Sequence, residues 1–296
     1  MPEPTLLLDH PFPDPGPRPR VLVTGAAGMV GSAFVKRRHA DYDLRLMVRE
    51  GEDAGALEGK GEIVTGELAD RDTLLRHCTG MHAVLHLAGD PRPTATWESL
   101  LPNNIAGTYH LLLAAKAAGV RRVVLASSIH AVSGGRADEQ VRAEDPVSPG
   151  DLYGVSKCFV EAAGRFFATQ EDLSVIAVRI GAFGPPASIR EEQGLPLLDA
   201  WLSEDDGVDL LARSLDDRRL RFAIVQGVSN NRVKRLSVAC ARKLLGYDPQ
   251  DDAAALNAVT ADLDLANTLR THNQTGTGNA SGIRDDLAKL AERDPG

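Results

Sequence analysis

Residues 20–37 decide the fold: they read Arg20-Val-Leu-Val-Thr24, then Gly25-Ala-Ala-Gly28-Met-Val-Gly31, then Ser32-Ala-Phe-Val-Lys-Arg37. The first run predicts a buried strand and the last predicts a helix, so the glycines fall in the turn between them. In such a turn Gly25 permits a tight bend, Gly28 lets the backbone approach a pyrophosphate, and Gly31 lets the helix pack on its strand. The spacing is Gly-x-x-Gly-x-x-Gly, wider than the usual dinucleotide fingerprint. The turn predicts a cofactor phosphate site formed by Gly25, Gly28, Met29, Val30 and Gly31.

Strand and helix signals continue to alternate downstream of this turn. Apolar runs recur at 43–48, 62–64, 83–87, 122–126 and 174–180, with helical stretches such as 104–118 between them. Several runs are apolar almost throughout, as is typical of strands covered on both faces. We therefore predict an α/β fold, a doubly wound parallel sheet with a small C-terminal substrate-covering region.

Composition divides the chain into four parts. Residues 1–19 contain seven prolines and predict a flexible leader, and residues 20–181 form the predicted dinucleotide-binding core. Residues 182–270 predict a substrate-binding region with elements that return to the core, including helices near 197–202 and 236–245. Residues 271–296 are rich in Gly, Asn, Thr and Ser and predict a flexible tail.

Bulk composition excludes several classes of protein. The 296 residues are 43% hydrophobic and 25% charged, and no apolar run approaches the roughly 20 residues needed to cross a bilayer. A net charge of -8 without a long Lys/Arg cluster argues against a nucleic-acid partner. Cys78, Cys158 and Cys240 follow no disulfide or metal-ligand pattern, so we expect reduced thiols, no metal and a cytoplasmic location.

The end of the second predicted strand bears on the cofactor. A carboxylate that binds the adenosine ribose is expected about 20 residues beyond the glycine turn. The strand here ends Met47-Val48-Arg49-Glu50, with Arg49 at its tip. Arg49 is suited to a 2′-phosphate, which favours NADP over NAD, although a solvated surface arginine explains it equally well.

A second group of residues predicts proton chemistry. Tyr153 and Lys157 are four residues apart and therefore share one face of a helix. A lysine ammonium next to a phenol, together with the positive charge of a bound nicotinamide, favours the phenolate. Tyr153 then exchanges a proton with a hydroxyl or carbonyl of the substrate. Ser127 and Ser128 follow a predicted strand at its carboxyl end, where open α/β sheets bind ligands. Ser128 is placed to polarise a substrate oxygen.

In their order along the chain, these motifs resemble the extended short-chain dehydrogenases of the NAD-dependent epimerase/dehydratase family, which have the Rossmann fold. The resemblance covers roughly residues 20 to 250 and rests on the glycine turn, Glu67-Leu68, His86-Leu-Ala-Gly89, Asn103-Asn-Ile-Ala-Gly-Thr108, Ala126-Ser-Ser128, Tyr153-Gly-Val-Ser-Lys157 and Val178-Arg-Ile-Gly181. It implies that Ser128, Tyr153 and Lys157 are catalytic and that the protein forms a homodimer through two helices. It also implies further cofactor contacts from Glu67, Leu68, Leu87, Ala88, Gly89, Asn104, Ser127 and Ile180.

Within that family the chain resembles uronate dehydrogenases in Tyr153-Gly-Val-Ser-Lys-Cys-Phe159 and Trp201-Leu-Ser-Glu-Asp-Asp206. Those enzymes oxidise the anomeric hydroxyl of a hexuronic acid to a lactone. The candidate substrate residues are Ser128, Ile129, His130, Gly181 and Arg190. Three positions depart from that pattern, since Ile129 replaces an asparagine and Pro91 and Ala182 replace serines. Arg190 is either a carboxylate clamp or an exposed loop charge, and His130 either contacts substrate or is packed.

Three functions are compatible with these features. The first is an NAD(P)-dependent oxidoreductase that transfers hydride at a hydroxyl or carbonyl of a sugar or sugar acid. The second is an NAD-dependent epimerase or dehydratase of a nucleotide sugar, which the short region after Gly181 disfavours. The third is a non-catalytic NAD(P)-binding regulator, which an intact Ser128, Tyr153 and Lys157 disfavour.

Overall fold

The computed structural model describes residues 5–136 and 139–261. The predicted tail at 271–296, and residues 262–270 of the predicted substrate-binding region, lie outside the described residues.

One mostly parallel sheet organises the fold and confirms the predicted α/β class. Within the described residues it has eight strands in the order β1-β10-β7-β6-β5-β2-β3-β4, of which only β1 runs antiparallel to its neighbour. The strands are β1 (Thr5–Leu7), β2 (Arg20–Thr24), β3 (Asp43–Val48), β4 (Glu62–Thr65), β5 (Ala83–His86), β6 (Arg122–Ser128), β7 (Ser174–Ile180) and β10 (Leu220–Gly227). A separate pair is formed by β8 (Ala182–Gly184) and β9 (Trp201–Ser203).

Helices cover both faces of the sheet. They are α1 (Met29–Arg38), α2 (Arg71–Cys78), α3 (Trp97–Leu100), α4 (Gly107–Ala117), α5 (Leu152–Gln170), α6 (Glu204–Asp216), α7 (Ala239–Leu245) and α8 (Ala253–Leu256). A π-helix, Leu101–Ala106, joins α3 to α4. One apolar core packs α1, α6 and α7 on the first face, and a second packs α2, α4 and α5 on the other. The central strands are apolar on both sides because both sides are covered.

The structure differs from the sequence prediction in two elements. The sheet does not begin at Arg20, because Thr5–Leu7 of the proline-rich leader add an antiparallel edge strand to β10. Three residues are too short a run to give a strand signal, and the pairing depends on a partner more than 200 residues away. The helix expected at 197–202 is also wrong, since Trp201–Ser203 form β9, which pairs with β8.

The parallel sheet determines where a site can form. β2, β5, β6 and β7 are neighbours in the sheet and all run in the same direction. Their carboxyl ends therefore meet at one edge, which carries the glycine turn, His86, Ser128 and Ile180. Within the described residues, no helix is both long enough and apolar enough to span a membrane.

Candidate active site

The glycine turn lies against the loop that follows β5. Gly25 has φ +68°, and a Cβ there would lie 2.8 Å from the backbone nitrogen of Ala88. A Cβ at Gly31 would lie 2.3 Å from the carbonyl oxygen of Gly25, so α1 packs directly on the turn. The first turn of α1 has neither a side-chain cap nor an acidic residue, and Met29 at its start is 60% exposed. Its N–H groups are therefore available to an anion at the helix N-terminus.

A buried polar chain fixes the two loops beside this turn. The Thr24 hydroxyl lies 2.8 Å from Nδ1 of His86 and accepts a hydrogen bond from the Ala88 N–H at 3.3 Å. On the other side of the ring, Nε2 lies 3.4 Å from the Thr108 hydroxyl on α4. Burial, helped by the charge of Lys157, lowers the pKa of His86 to about 3. The imidazole is therefore neutral at physiological pH and acts as a fixed link between the two threonines.

Asn104 joins the loop after β5 to the helix that carries the predicted catalytic pair. Its Oδ1 accepts a hydrogen bond from the Asp90 N–H at 2.7 Å. Its Nδ2 donates to the Asp90 carbonyl and to the Ser156 hydroxyl, both at 3.0 Å. Asn104 is almost fully buried and lies within the π-helix. Asn104 therefore positions α5 against the loop that follows β5.

The structure brings together Ser128, Tyr153 and Lys157. Lys157 Nζ lies 5.4 Å from the centre of the Tyr153 ring and donates a hydrogen bond to the Ala126 carbonyl at 2.8 Å. Burial lowers the pKa of Lys157 to about 8. Burial also raises the pKa of Tyr153, and a side-chain hydrogen bond with Ser128 opposes that rise. In the protein without cofactor the phenol is therefore held protonated.

His130 and Asp151 form a pair at the edge of this group. His130 Nδ1 lies 2.7 Å from an Asp151 carboxylate oxygen, and the imidazole meets the Tyr153 ring edge-on with 5.4 Å between ring centres. The other Asp151 oxygen caps α5 by accepting the Gly154 N–H at 2.7 Å. The backbone N–H of His130 also donates a hydrogen bond to the Ser128 hydroxyl at 3.2 Å. His130 therefore contacts two of the three predicted catalytic residues, and its ring is about one-third exposed.

Ser127 points away from Ser128, into a buried ion pair. Its hydroxyl donates to Glu161 at 2.6 Å, and Arg179 contacts the same carboxylate through Nε at 2.8 Å and Nη2 at 2.9 Å. Glu161 lies one helical turn beyond Lys157 on α5, a spacing that was readable in the sequence but was not used. This arrangement gives Ser127 a structural partner next to the site.

The remaining predicted site residues differ in how far they are buried. Glu67 is exposed, and Leu68 is buried against α4. Leu87, Ile129 and Ile180 are half-buried beside the first core at the carboxyl edge. Gly181 lies where a Cβ would be 2.3 Å from the Ala200 carbonyl, so close packing accounts for it. Arg190 is exposed on the loop before β9, and its carbonyl accepts the Ala258 N–H.

Arg49 is also exposed, with 72% of its side chain accessible, and it pairs with Glu52 at 3.4 Å. The second Glu52 oxygen accepts the Arg49 backbone N–H at 3.0 Å. The turn that follows β3 thus brings the Glu52 carboxylate back to the end of the strand, although the strand itself ends without an acidic residue. Glu52, which the linear sequence did not single out, therefore lies beside Arg49, the residue predicted to contact a 2′-phosphate.

Comparison with known proteins agrees with this arrangement. A model of the NAD dependent epimerase/dehydratase family matches residues 21–194. The chain is 36% identical over 264 residues to the NAD-dependent glucose-6-phosphate dehydrogenase of Haloferax volcanii, covering 83% of this chain and 98% of that protein. It is 33% identical over 239 residues to a uronate dehydrogenase of Pseudomonas putida, covering 81% and 87%. The fold superposes on a uronate dehydrogenase mutant of Agrobacterium tumefaciens complexed with NAD with a TM-score of 0.72 and 32% identity, covering 80% and 87%.

The crowding at the glycine turn gives a stability test with a matched control. Gly51 also has positive φ, at +74°, but a Cβ there would meet nothing within 4 Å. Alanine in a left-handed conformation costs about 1 kcal/mol at either position, and overpacking against Ala88 adds about 1–3 kcal/mol at Gly25. We therefore expect Gly25→Ala to lower the free energy of unfolding more than Gly51→Ala, as measured by urea denaturation. Equal losses would mean that the contact with Ala88 relaxes without cost.

Proposed function

The chain belongs to the NAD-dependent epimerase/dehydratase family, and we propose that it is an NAD-dependent dehydrogenase that oxidises the anomeric hydroxyl of a sugar or sugar acid. The observation that carries the proposal is the convergence of Ser128, Tyr153 and Lys157 at the carboxyl edge of the sheet, beside the glycine turn. The relatives named as glucose-6-phosphate and uronate dehydrogenases support the substrate class. We further propose a dinucleotide-binding core at residues 20–181, a substrate-binding region from residue 182, and a cytoplasmic location.

The residues of the turn fit a dinucleotide. The backbone at Gly25 leaves no room for a side chain, and the uncapped N–H groups of α1 suit a pyrophosphate. When bound, NAD accepts hydride from the carbon being oxidised and gains a pair of electrons. The side chains at the carboxyl edge bind the substrate oxygen and accept its proton.

Tyr153 is the group that takes the hydroxyl proton. As the carbon–hydrogen bond breaks and the carbonyl forms, the hydroxyl proton passes to the Tyr153 oxygen, and Ser128 hydrogen-bonds the substrate oxygen. Burial opposes the phenolate that this role requires. The ammonium of Lys157, together with a positively charged nicotinamide, supplies the missing stabilisation. The same buried cation would bind the nicotinamide ribose.

We expect Tyr153→Phe to lower the rate of sugar oxidation by about a hundredfold or more, because phenylalanine keeps the packing but removes the proton acceptor. The rate is measured as NADH absorbance with a panel of aldoses, uronic acids and sugar phosphates. NADH binding, followed by fluorescence, is expected to stay within about twofold of the wild type.

Tyr109→Phe is the matched control, because Tyr109 is 42% exposed on α4 and belongs to no part of the site. A Tyr153→Phe enzyme that turns over normally would reject the role of the phenol. NADH that accumulates in proportion to sugar consumed identifies a dehydrogenase, whereas altered sugar stereochemistry without net NADH would identify an epimerase instead.

We propose NAD as the preferred cofactor, with Glu52 as the reason. Arg49 alone favours a 2′-phosphate, but its charge is matched by Glu52, whose carboxylate lies at the end of β3. A carboxylate at this place favours a ribose hydroxyl and repels a phosphate. The same preference is supported by the Haloferax volcanii relative, which is named as NAD-dependent, and by the Agrobacterium tumefaciens structure, which is complexed with NAD.

Two substitutions separate these opposing charges. Glu52→Gln is expected to shift the ratio of kcat/KM for NADP over NAD upward by about fivefold, because repulsion of the 2′-phosphate is lost. Arg49→Ala is expected to move the same ratio downward. The steady-state constants for both cofactors are the measurement, and an unchanged ratio in both variants would place this pair away from the ribose.

We also propose that the protein forms a homodimer through α4 and α5. Exposed apolar side chains follow helical spacing on both helices, and Tyr109 and Phe167 bring the helices into contact with 6.3 Å between ring centres. The exposed set is Tyr109 and Leu113 on α4 and Leu152, Val155 and Phe166 on α5. Two neighbouring apolar stripes of this kind mark a protein–protein interface, and a second copy presents the same stripes.

Light scattering after size exclusion tests this arrangement. We expect a dimer for the wild type and a monomer for Val155→Glu, because a charge in the centre of the apolar face is costly to bury. Val233→Glu is the control, since Val233 is also exposed, at 61% against 44% for Val155, but lies outside both helices. A wild-type monomer, or a Val155→Glu dimer of unchanged affinity, would contradict the proposal.

A further inference from the structure

The loop that follows β5 is a wall of the site. Ala95, which precedes α3, and Leu100, the last residue of α3, pack with Tyr153 in one small buried apolar cluster. Asn104 ties the start of the same loop to α5 through Asp90 and Ser156. The Asp90 carboxylate of this loop is also close enough to Tyr153 to raise the pKa of the phenol, so the loop lies beside the predicted proton acceptor.

Asp90 is buried in this loop, and four donors satisfy its carboxylate. One oxygen accepts from the Arg92 N–H at 3.1 Å and from Arg92 Nε at 2.9 Å, and the other accepts from Arg92 Nη2 and the Ser99 hydroxyl, both at 2.6 Å. The hydrogen bonds from Arg92 are the main reason why the pKa of Asp90 lies well below its usual range. The carboxylate is consequently a fixed anion that orients one arginine.

Arg92 presents a free edge to solvent. Nε and Nη2 of the guanidinium donate hydrogen bonds to Asp90. The opposite edge, formed by Nη1 and the second N–H of Nη2, remains as another pair of donors. The side chain is 68% exposed, although the carboxylate beneath it is only 6% exposed. Prolines at 91 and 93 restrict the backbone on both sides of the arginine. The guanidinium is therefore held in one orientation before any ligand arrives.

We propose that Arg92 is the recognition residue for an oxyanion, a carboxylate or a phosphate, carried by the sugar substrate. The inference rests on the proposed function, and it assigns to Arg92 the role that the sequence analysis offered to Arg190. A planar fork of N–H donors matches two oxygens of either anion. Because the guanidinium is already oriented by Asp90, little side-chain entropy is lost when the anion binds.

The chain supplies its own control for the substitution. Asp217 and Arg219 repeat the arrangement at the start of β10: the Arg219 N–H donates to Asp217 at 2.8 Å, and Arg219 Nε and Nη2 contact the other oxygen at 3.0 and 2.8 Å. Arg219 is 61% exposed, and its carboxylate is 5% exposed. This second pair lies at the opposite edge of the sheet from Tyr153, because it precedes a strand parallel to β7.

The experiment measures sugar binding to the enzyme–NADH complex by calorimetry and sugar oxidation by NADH absorbance. Glucose, glucuronate and glucose 6-phosphate serve as neutral, carboxylate and phosphate probes, and the proteins are wild type, Arg92→Gln, Arg92→Lys and Arg219→Gln. We expect Arg92→Gln to weaken binding of at least one anionic sugar by about tenfold to a hundredfold, with glucose and NADH affinities unchanged. Arg92→Lys is expected to recover part of the loss, and Arg219→Gln to match the wild type. The probe that loses more identifies the anion.

Other results would overturn the proposal. These are a wild type that binds neither charged sugar better than glucose, or an Arg92→Gln variant that loses glucose, both charged sugars and NADH alike. Oxidation of glucose without any preference for charge rejects the role of Arg92 and leaves the dehydrogenase intact. Charge-selective binding that depends on Arg92 without NADH production supports the subsite and rejects the proposed activity.

Discussion

The site depends on one geometric constraint, the common direction of β2, β5, β6 and β7. Parallel neighbours end at the same edge of a sheet, so segments far apart in sequence deliver their following residues to one place. Thr24 and His86, on adjacent strands, meet there through a 2.8 Å hydrogen bond, and the turn that follows Thr24 contacts Ala88. Without that shared direction, neither the glycine turn nor Ser128 would lie near the helix that carries Tyr153.

Hydrogen bonds from side chains to backbone groups hold the elements at this edge together. Lys157 donates to the Ala126 carbonyl, and Asn104 bonds both the N–H and the carbonyl of Asp90. Backbone partners cannot rotate away as side chains do, so each contact fixes the distance between two elements. The ammonium and the phenol are thus set by β6 and α5 together, and the loop that carries Arg92 is set by the π-helix.

The sequence predicted the local features and missed those that depend on distant pairing. The six apolar runs from Arg20 to Ile180 appear as strands, and the four-residue spacing of Tyr153 and Lys157 places them together on α5. Thr5–Leu7 could not be predicted, because three residues become a strand only beside β10. Glu52 was missed for a similar reason, since a turn brings its carboxylate back to Arg49.

The buried Glu161–Arg179 pair explains why two serines follow one another at the end of β6. Successive side chains on a strand point to opposite faces, so Ser128 faces the site only if Ser127 faces the covered side. There Ser127 needs a buried acceptor, and Glu161 supplies it at 2.6 Å. An isolated buried carboxylate would be costly, and Arg179 on β7 neutralises it through two hydrogen bonds. The ion pair thereby ties β6, β7 and α5 together one helical turn from Lys157, where a small shift of the helix would misplace the proton acceptor.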